Sequence, residues 1–536
     1  MLDGFVPWPD HLADEYRRRG IWLGRPLGDL LHESCRRHAD RVAVVCDGRE
    51  MTYAELSRRA DRLAGGLIEL GVRPLDRVVV HLPNITEFVV LVFALLRAGA
   101  IPVLALPGHR KSEISHLCAH SGAVAYAVKD EFGGFDYREI AREIPSVRHV
   151  LVSGDAQEFT ALESLGSEDV PLPRVDPSDP ALFLLSGGTT GLPKLIPRAH
   201  DDYAYVMRAT AEAMHVGQEV AYLAVNPVAH QAALACPGVF GSLLLGGKAV
   251  LTSSVRPDEV FPLIRREHVT VTTVVPSVLR LWADSGQKPD LSHLLVQVGS
   301  APLDPALARR AGEVLGCRIM RWYGISEGLL THTRFDDPED VITGTDGRPM
   351  SGDDEVRIVD ESLNPVPEGE AGEMITRGPY TIRGYYRAPE ENTRSFTPDG
   401  FFRTGDLVRR GPEGNITIVG RIKDVINRAG EKVSAEEVER QLRTHPSVQD
   451  AAVVGVPDTV LGERTYAFLV LTGSQVRTSA MKEFLRGCGL ATYKIPDRLV
   501  ALDQLPRTPM GKVDKKALRA LATRRAVPAT RREKKA

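Results

Sequence analysis

The 536-residue chain has little of what usually marks a special environment. Its six cysteines (Cys35, Cys46, Cys118, Cys236, Cys317 and Cys488) are widely scattered, with no Cys-x-x-Cys pair. That argues against structural zinc and a disulfide framework, and predicts a reducing, cytoplasmic setting. Charge of either sign is not in excess: 67 Lys and Arg stand against 70 Asp and Glu, a formal net charge of −3. Nothing global therefore draws the chain to nucleic acid or to an anionic membrane. The opening MLDGFVPWPDHLADEYRRRG has no apolar h-region, so no signal peptide is expected. The most apolar window, residues 88–107, carries Arg97 at its centre and reads as a helix followed by a strand, not a membrane span. The one local charge run, RRAVPATRREKKA at the end, reads as a solvated tail.

What is present is an alternation of strand and helix signals. RVAVVCDG reads as a strand, then MTYAELSRRADRLAGGLIELG as a helix opened by a capping box of Thr52 and Glu55. VTVTTVVPSVLRLWADS and LLVQVGSAPLDPALARRAGEVLGCRIMRWYG repeat strand, turn and helix. Such units build parallel sheets with ligands at the carboxyl ends of the strands. From about residue 341 the texture changes to short β runs between Gly and Pro turns, a β-rich lobe. After GRIKD a second capping box, Ser434 with Glu437, opens a separate α+β unit. The expected class is α/β, with a large unit over 1–423 and a small one over 424–536.

Five stretches carry chemistry. In LFLLSGGTTGLPK an apolar strand runs into Ser186, Gly187, Gly188, Thr189, Thr190 and Gly191, then Lys194. Glycines let backbone N–H groups converge, and three hydroxyls and a lysine add donors, which suits a polyphosphate. The spacing is not that of a Walker A loop. In RWYGISEG, Tyr323 could stack on a flat base and Glu327 could hold magnesium, although a core tyrosine beside a solvated glutamate has the same sequence. FFRTGDLVRR places Asp406 in a turn after Gly405, able to accept from both hydroxyls of a ribose. GRIKDVINRAGEKVSAEEVE strings Arg421, Lys423, Asp424, Arg428 and Lys432 around Gly430, and PRTPMGKVDKK holds Lys512 in a Pro/Gly turn. Each of these last three, taken alone, is an ordinary surface segment.

In this order the motifs resemble the adenylate-forming superfamily of acyl-CoA synthetases, adenylation domains and luciferases, over about residues 28–520. GFVPWPDHLADEYRRRGIW, ALPGHRKSEI and SEGLLTHTRFDDP resemble the stand-alone aryl acid–AMP ligases that make 2,3-dihydroxybenzoyl or salicyl adenylates. The resemblance implies ATP and Mg2+ as cofactors and a mobile C-terminal domain. It implies that residues 186–194 grip the phosphates, that Tyr323 and the Gly299, Ser300, Ala301 loop sandwich adenine, with Gly324 beside it, and that Ser326 meets the α-phosphate. Glu327 would hold the metal, Asp406 and Arg421 the ribose side, with Lys423 and Arg428 near the nucleotide. Asp424 would be the hinge, Gly430 the loop that turns inward for thioester formation, and Lys512 the lysine reaching carboxylate and α-phosphate. The acceptor implied is the phosphopantetheine thiol of a separate aryl carrier protein, in siderophore or nonribosomal peptide synthesis. Free coenzyme A is the alternative acceptor. A non-catalytic nucleotide-binding relative would have no chemical need for Lys512 or Glu327.

The acid pocket is implied to be His230, Gln231, Ala232 and Cys236 from HQAALACPG, with Gly299, Gly324 and Leu330. His230 matches the branch, and Cys236 matches its salicylate-associated version. Gln231 stands where asparagine is usual, Ala232 where an aromatic wall is usual, and Ala233 where proline is usual. A missing buried ring leaves a cavity costing roughly 3–5 kcal/mol unless something refills it. The expectation is that the substrate refills it, as a bicyclic acid such as a hydroxyquinaldate or quinoxaline carboxylate, or a substituted hydroxybenzoate or hydroxyanthranilate.

Overall fold

The computed structural model describes residues 2–186, 192–429, 431–473, 476–508 and 511–526. Among these, two large sheets carry the first unit. One has nine strands, and the run from Val42–Cys46 through Lys248–Leu251, Ala221–Ala224, Val271–Val274 and Leu295–Val298 to Arg318–Gly324 is parallel. The other has seven, in the order Leu195–Ala199, Pro180–Leu185, Ile101–Leu104, Arg77–His81, Ala125–Lys129, His149–Ser153 and Thr160–Ala161. The largest apolar core joins both sheets through helices Tyr53–Glu69 and Thr86–Arg97. Residues Phe88–Leu96 of the second helix are all buried, which is why its sequence is apolar on every side. Among the described residues no helix is long and apolar enough to cross a membrane.

The β-rich lobe is a four-stranded antiparallel sheet, Glu355–Val359, Gly372–Arg377, Phe402–Arg410 and Ile416–Arg421. The chain leaves it through a single 3-10 turn, Ile422–Asp424, and enters the small unit at strand Val425–Arg428. There a five-stranded sheet packs with helices Ala435–Arg443, Thr478–Gly487 and Lys515–Ala526.

Two local expectations are corrected. Ser434 Oγ accepts from the Glu437 N–H (3.3 Å), but the Glu437 carboxylate is taken by Lys494 (2.7 Å), so a tertiary ion pair replaces the returning half of the capping box. Asp406 lies inside the strand Phe402–Arg410 and not in a turn. The register slips between Glu373 and Ile375, pairing Glu373 with Leu407 and Ile375 with Arg403, so residues 404–406 bulge. Gly405, at φ +69°, makes that bulge possible and re-aims the aspartate.

Candidate active site

The glycine-rich loop springs from strand Pro180–Leu185 and returns into Leu195–Ala199. Its neck is tied twice: Ser186 N–H donates to the Lys194 carbonyl, and Lys194 N–H donates to Ser186 Oγ, both at 3.0 Å. Gly187, Gly188, Thr189, Thr190 and Gly191 lie outside the described residues, as does Gly430. The Lys194 ammonium sits 2.7 Å from Glu391 Oε1 and 4.2 Å from the centre of the Tyr385 ring. Tyr385 in turn donates its hydroxyl to Glu327 Oε1 at 2.7 Å. Glu327 stands in a tight turn with Ser326, and fully buried Arg198 donates to the Ser326 carbonyl (3.1 Å) from behind. Arg198 is held by Asp202 at 2.8 Å.

The bulged Asp406 accepts from the Tyr323 hydroxyl (2.6 Å) and pairs with Arg421 Nε (2.7 Å). Burial keeps the Tyr323 phenol protonated, so it remains a donor. Lys423 lies within electrostatic reach of Arg421, Asp406 and Lys194. Gly299, Ser300 and Ala301 follow strand Leu295–Val298, and Ser300 is held at φ +65°, an uncommon conformation for a side-chain-bearing residue.

On the other side, HQAALACPG forms the short helix Gln231–Ala235, and all its residues are buried. His230 caps it, its Nδ1 accepting from the Ala232 N–H (3.2 Å). Nε2 is therefore the protonated nitrogen, and burial with Lys512 nearby pushes the imidazole down to about 3. His230 is a neutral donor, not a cation. Burial raises the Cys236 thiol to about 12, and the Gln231 amide lies against it. Gln231 is 3% exposed, and apart from the Cys236 thiol its amide has no hydrogen-bond partner among the described residues.

Trp322 belongs to the same apolar core as Ala232 and Cys236. A Cβ added at Gly299 would stand 2.6 Å from Trp322 Nε1, and one at Gly324 would stand 2.6 Å from Cζ3 of the same indole and 2.4 Å from Leu330 Cδ2. Both positions have to be glycine for that approach. Trp322 Nε1 is buried and also lacks a partner among the described residues.

The small unit closes over both halves. Gly511 lies against Val275 and Ser277 of the large unit, with Ser277 Oγ 3.7 Å from where its Cβ would be. Next to it, Lys512 comes within electrostatic reach of Asp406, Glu327, Arg421 and His230. Asp424 ends the connecting turn, paired with Arg519 (2.8 Å) and Lys515 (3.7 Å). Arg428 is not brought to the site, because it pairs with Asp497 at 2.7 Å inside the small unit.

Residues 31–386 match the AMP-binding enzyme family, and residues 437–512 match the AMP-binding enzyme C-terminal domain. The chain belongs to the AMP-binding enzymes. It is 95% identical to triostin synthetase I of Streptomyces triostinicus, over 97% of this chain and 99% of the relative. It is 50% identical to 2,3-dihydroxybenzoate-AMP ligase of Bacillus subtilis (97% and 98% covered). It is 47% identical to 2-hydroxy-7-methoxy-5-methyl-1-naphthoate–CoA ligase of Streptomyces carzinostaticus (97% of both).

Motif reading did not name Trp322, Tyr385, Glu391 or Arg198 in this AMP-binding enzyme. A signal for Trp322 existed: strand alternation puts it on the face of Gly324, opposite Tyr323. The enzyme also makes a pH prediction. Burial, together with Arg421, pushes Lys512 down to about 8 from its ordinary 10.5. The ammonium is the charged form that anionic substrates need, so kcat/KM for adenylation should fall as pH rises through about 8. A pyrophosphate-exchange profile checks this, and the descending limb should disappear in Lys512→Ala.

Proposed function

We propose that the enzyme converts an aromatic carboxylic acid and ATP into an aryl-AMP and pyrophosphate, and then passes the aryl group to a phosphopantetheine thiol on a separate carrier protein. The observation that carries this reading is that Lys512 stands within electrostatic reach of Glu327 and Asp406 and also of His230. A carboxylate is ionised at neutral pH and needs no base. Its oxygen attacks the α-phosphorus, the bond from that phosphorus to the bridging oxygen breaks, and pyrophosphate leaves. The work of the protein is to hold two anions together and spread their charge. Lys512 and the Nε2–H of His230 face the carboxylate, Asp406 takes the ribose hydroxyls, and Tyr323 lies along adenine.

Glu327 fits magnesium, since the Tyr385 hydroxyl takes only its Oε1. Magnesium commonly binds through one or two carboxylates with substrate phosphates completing the shell, and there it neutralises phosphate charge.

For the thioester step, thiol sulfur attacks the acyl carbon and AMP departs. We place the turn of the small domain, over 424–536, at Asp424. The 2,3-dihydroxybenzoate relative supports an adenylate-forming reading, and the naphthoate relative is named for coenzyme A as acceptor. Thioester yield with free coenzyme A and with a pantetheinylated aryl carrier protein separates the two.

The acid is proposed to be larger than salicylate. Ala232 and Ala233 stand where the resembling branch usually has an aromatic ring and a proline, and the naphthoate relative is named for a bicyclic acid. The buried Trp322 Nε1–H has no hydrogen-bond partner among the described residues, and the Gln231 amide meets only the Cys236 thiol. Each buried unsatisfied group costs about 1–3 kcal/mol, which a substrate bearing ring or ortho heteroatoms restores. In a pyrophosphate-exchange panel, bicyclic acids with such atoms should exceed salicylate and 2,3-dihydroxybenzoate in kcat/KM. Preference for either monocyclic acid would sink the enlarged-pocket reading.

A further inference from the structure

We propose that Glu391 is a positioning residue for ATP: its carboxylate occupies the place of a phosphate oxygen on Lys194 and yields that place when the nucleotide binds. The inference rests on the reading of Lys194 as a phosphate-binding lysine.

The geometry separates a fixed base from a movable end. The Lys194 backbone is tied to Ser186 in both directions, so only its side chain can swing. That side chain lies along the Tyr385 ring, and its ammonium ends on Glu391 Oε1 at 2.7 Å. The ring is itself anchored. Tyr385 N–H donates to Asn392 Oδ1 (2.7 Å), Asn392 Nδ2 donates back to the Tyr385 carbonyl (3.0 Å), and the phenol donates to Glu327. One rigid aromatic surface thus aligns the loop lysine and the Glu327 carboxylate.

Glu391 is equipped to lose its partner. It also accepts from Arg394 Nη2 and Ser395 Oγ, both at 3.2 Å, and departure of the lysine leaves it neither uncharged nor orphaned. The pair is accessible as well: the side chains of Lys194 and Glu391 are 35% and 31% exposed. Ion pairs this exposed are weak. A polyphosphate of higher charge therefore outcompetes one carboxylate. What Glu391 contributes is a stretched, oriented lysine, because a free lysine carries rotamer entropy that binding would otherwise have to remove.

A glutamine at 391 keeps the accepting oxygen that orients Lys194 and removes the competing charge. The sign follows. Titration calorimetry with α,β-methylene-ATP should show Glu391→Gln binding about two- to fivefold more tightly than the parent enzyme, the equivalent of an exposed ion pair. In pyrophosphate exchange the same change should appear as a lower KM for ATP. Lys194→Ala should weaken the analogue by roughly ten- to a hundredfold, as for a lost charge-assisted hydrogen bond. On the Lys194→Ala background, Glu391→Gln should have no effect. Unchanged or weaker binding by the single Glu391→Gln variant overturns the proposal. An equal gain with and without Lys194 also overturns it, since it would show a general field and not a specific exchange. Lys194→Ala binding as tightly as the parent enzyme would instead overturn the phosphate role of Lys194 on which the proposal stands.

Discussion

Lys512→Ala should lower the rate of aryl-adenylate formation by about 10²–10³-fold, the usual consequence of deleting one donor aimed at transition-state charge. The size of the effect comes from where the lysine is held. Gly511 lies against Val275 and Ser277, so Lys512 follows directly on a residue that meets the large unit. Its ammonium stands within electrostatic reach of His230 on the acid side and of Asp406 and Glu327 on the nucleotide side. No other described lysine does both. The second half-reaction provides the control. Supplied with preformed aryl-AMP, the Lys512→Ala enzyme should still transfer the acyl group to a thiol, because that step involves no attack on phosphorus. Pyrophosphate exchange retained at the parental rate would remove Lys512 from the mechanism. Equal loss of both half-reactions would mean that the substitution damages the fold.

Arg198→Ala should produce the largest loss of stability. The guanidinium is fully buried, and among the described residues its only charged partner is Asp202, itself 2% exposed at the side chain, with Nη2 2.8 Å from Oδ1. Breaking a buried pair by removing one member typically costs about 3–5 kcal/mol, because the other charge is left without compensation. Burial already pushes the Asp202 carboxyl above its ordinary range, so without Arg198 it should take up a proton. The substitution also frees the carbonyls of Ser326 and Tyr380, to which Arg198 donates at 3.1 and 3.0 Å. Urea denaturation followed by tryptophan fluorescence should show the loss, and it should be mostly recovered in Arg198→Met with Asp202→Leu, which removes both charges. The double variant should remain slow in adenylation, since the turn presenting Glu327 has lost its rear anchor. A single-variant loss below about 1 kcal/mol would show that the pair is not buried as described.

These two residues also mark what the sequence made legible. Lys512 could be located by motif because its chemistry needs a lysine in a fixed local frame. Arg198 could not, because its importance is tertiary: strand Leu195–Ala199 turns it inward onto Asp202 and beneath the Ser326 turn. Tyr385 and Glu391 were missed for the same reason, joining Lys194 and Glu327 only after the chain has folded back from residue 385. The alternating strand and helix pattern was readable because periodicity is local, and the turn residues marked the β-rich lobe. Asp406 was found by motif but placed in a turn, since Thr-Gly-Asp has turn composition whether it closes a hairpin or bulges within a strand. In HQAALACPG the small residues were visible, but the distant residues that share their core were not. Trp322 lies about ninety residues away, on a different element.

The strand Arg318–Gly324 has a consequence for how such an enzyme can diversify. Met320 and Trp322 join the core that includes Ala232, whereas Tyr323 packs with a different apolar group in the β-rich lobe. On the proposed reading, one pleated ribbon is therefore a partition wall, with acid recognition on one side and nucleotide handling on the other. A lineage can redecorate the acid-facing side by single substitutions and inherit the ATP-facing side intact. On that reading the two recognition tasks are neighbours in sequence, one peptide apart, yet they face different cores.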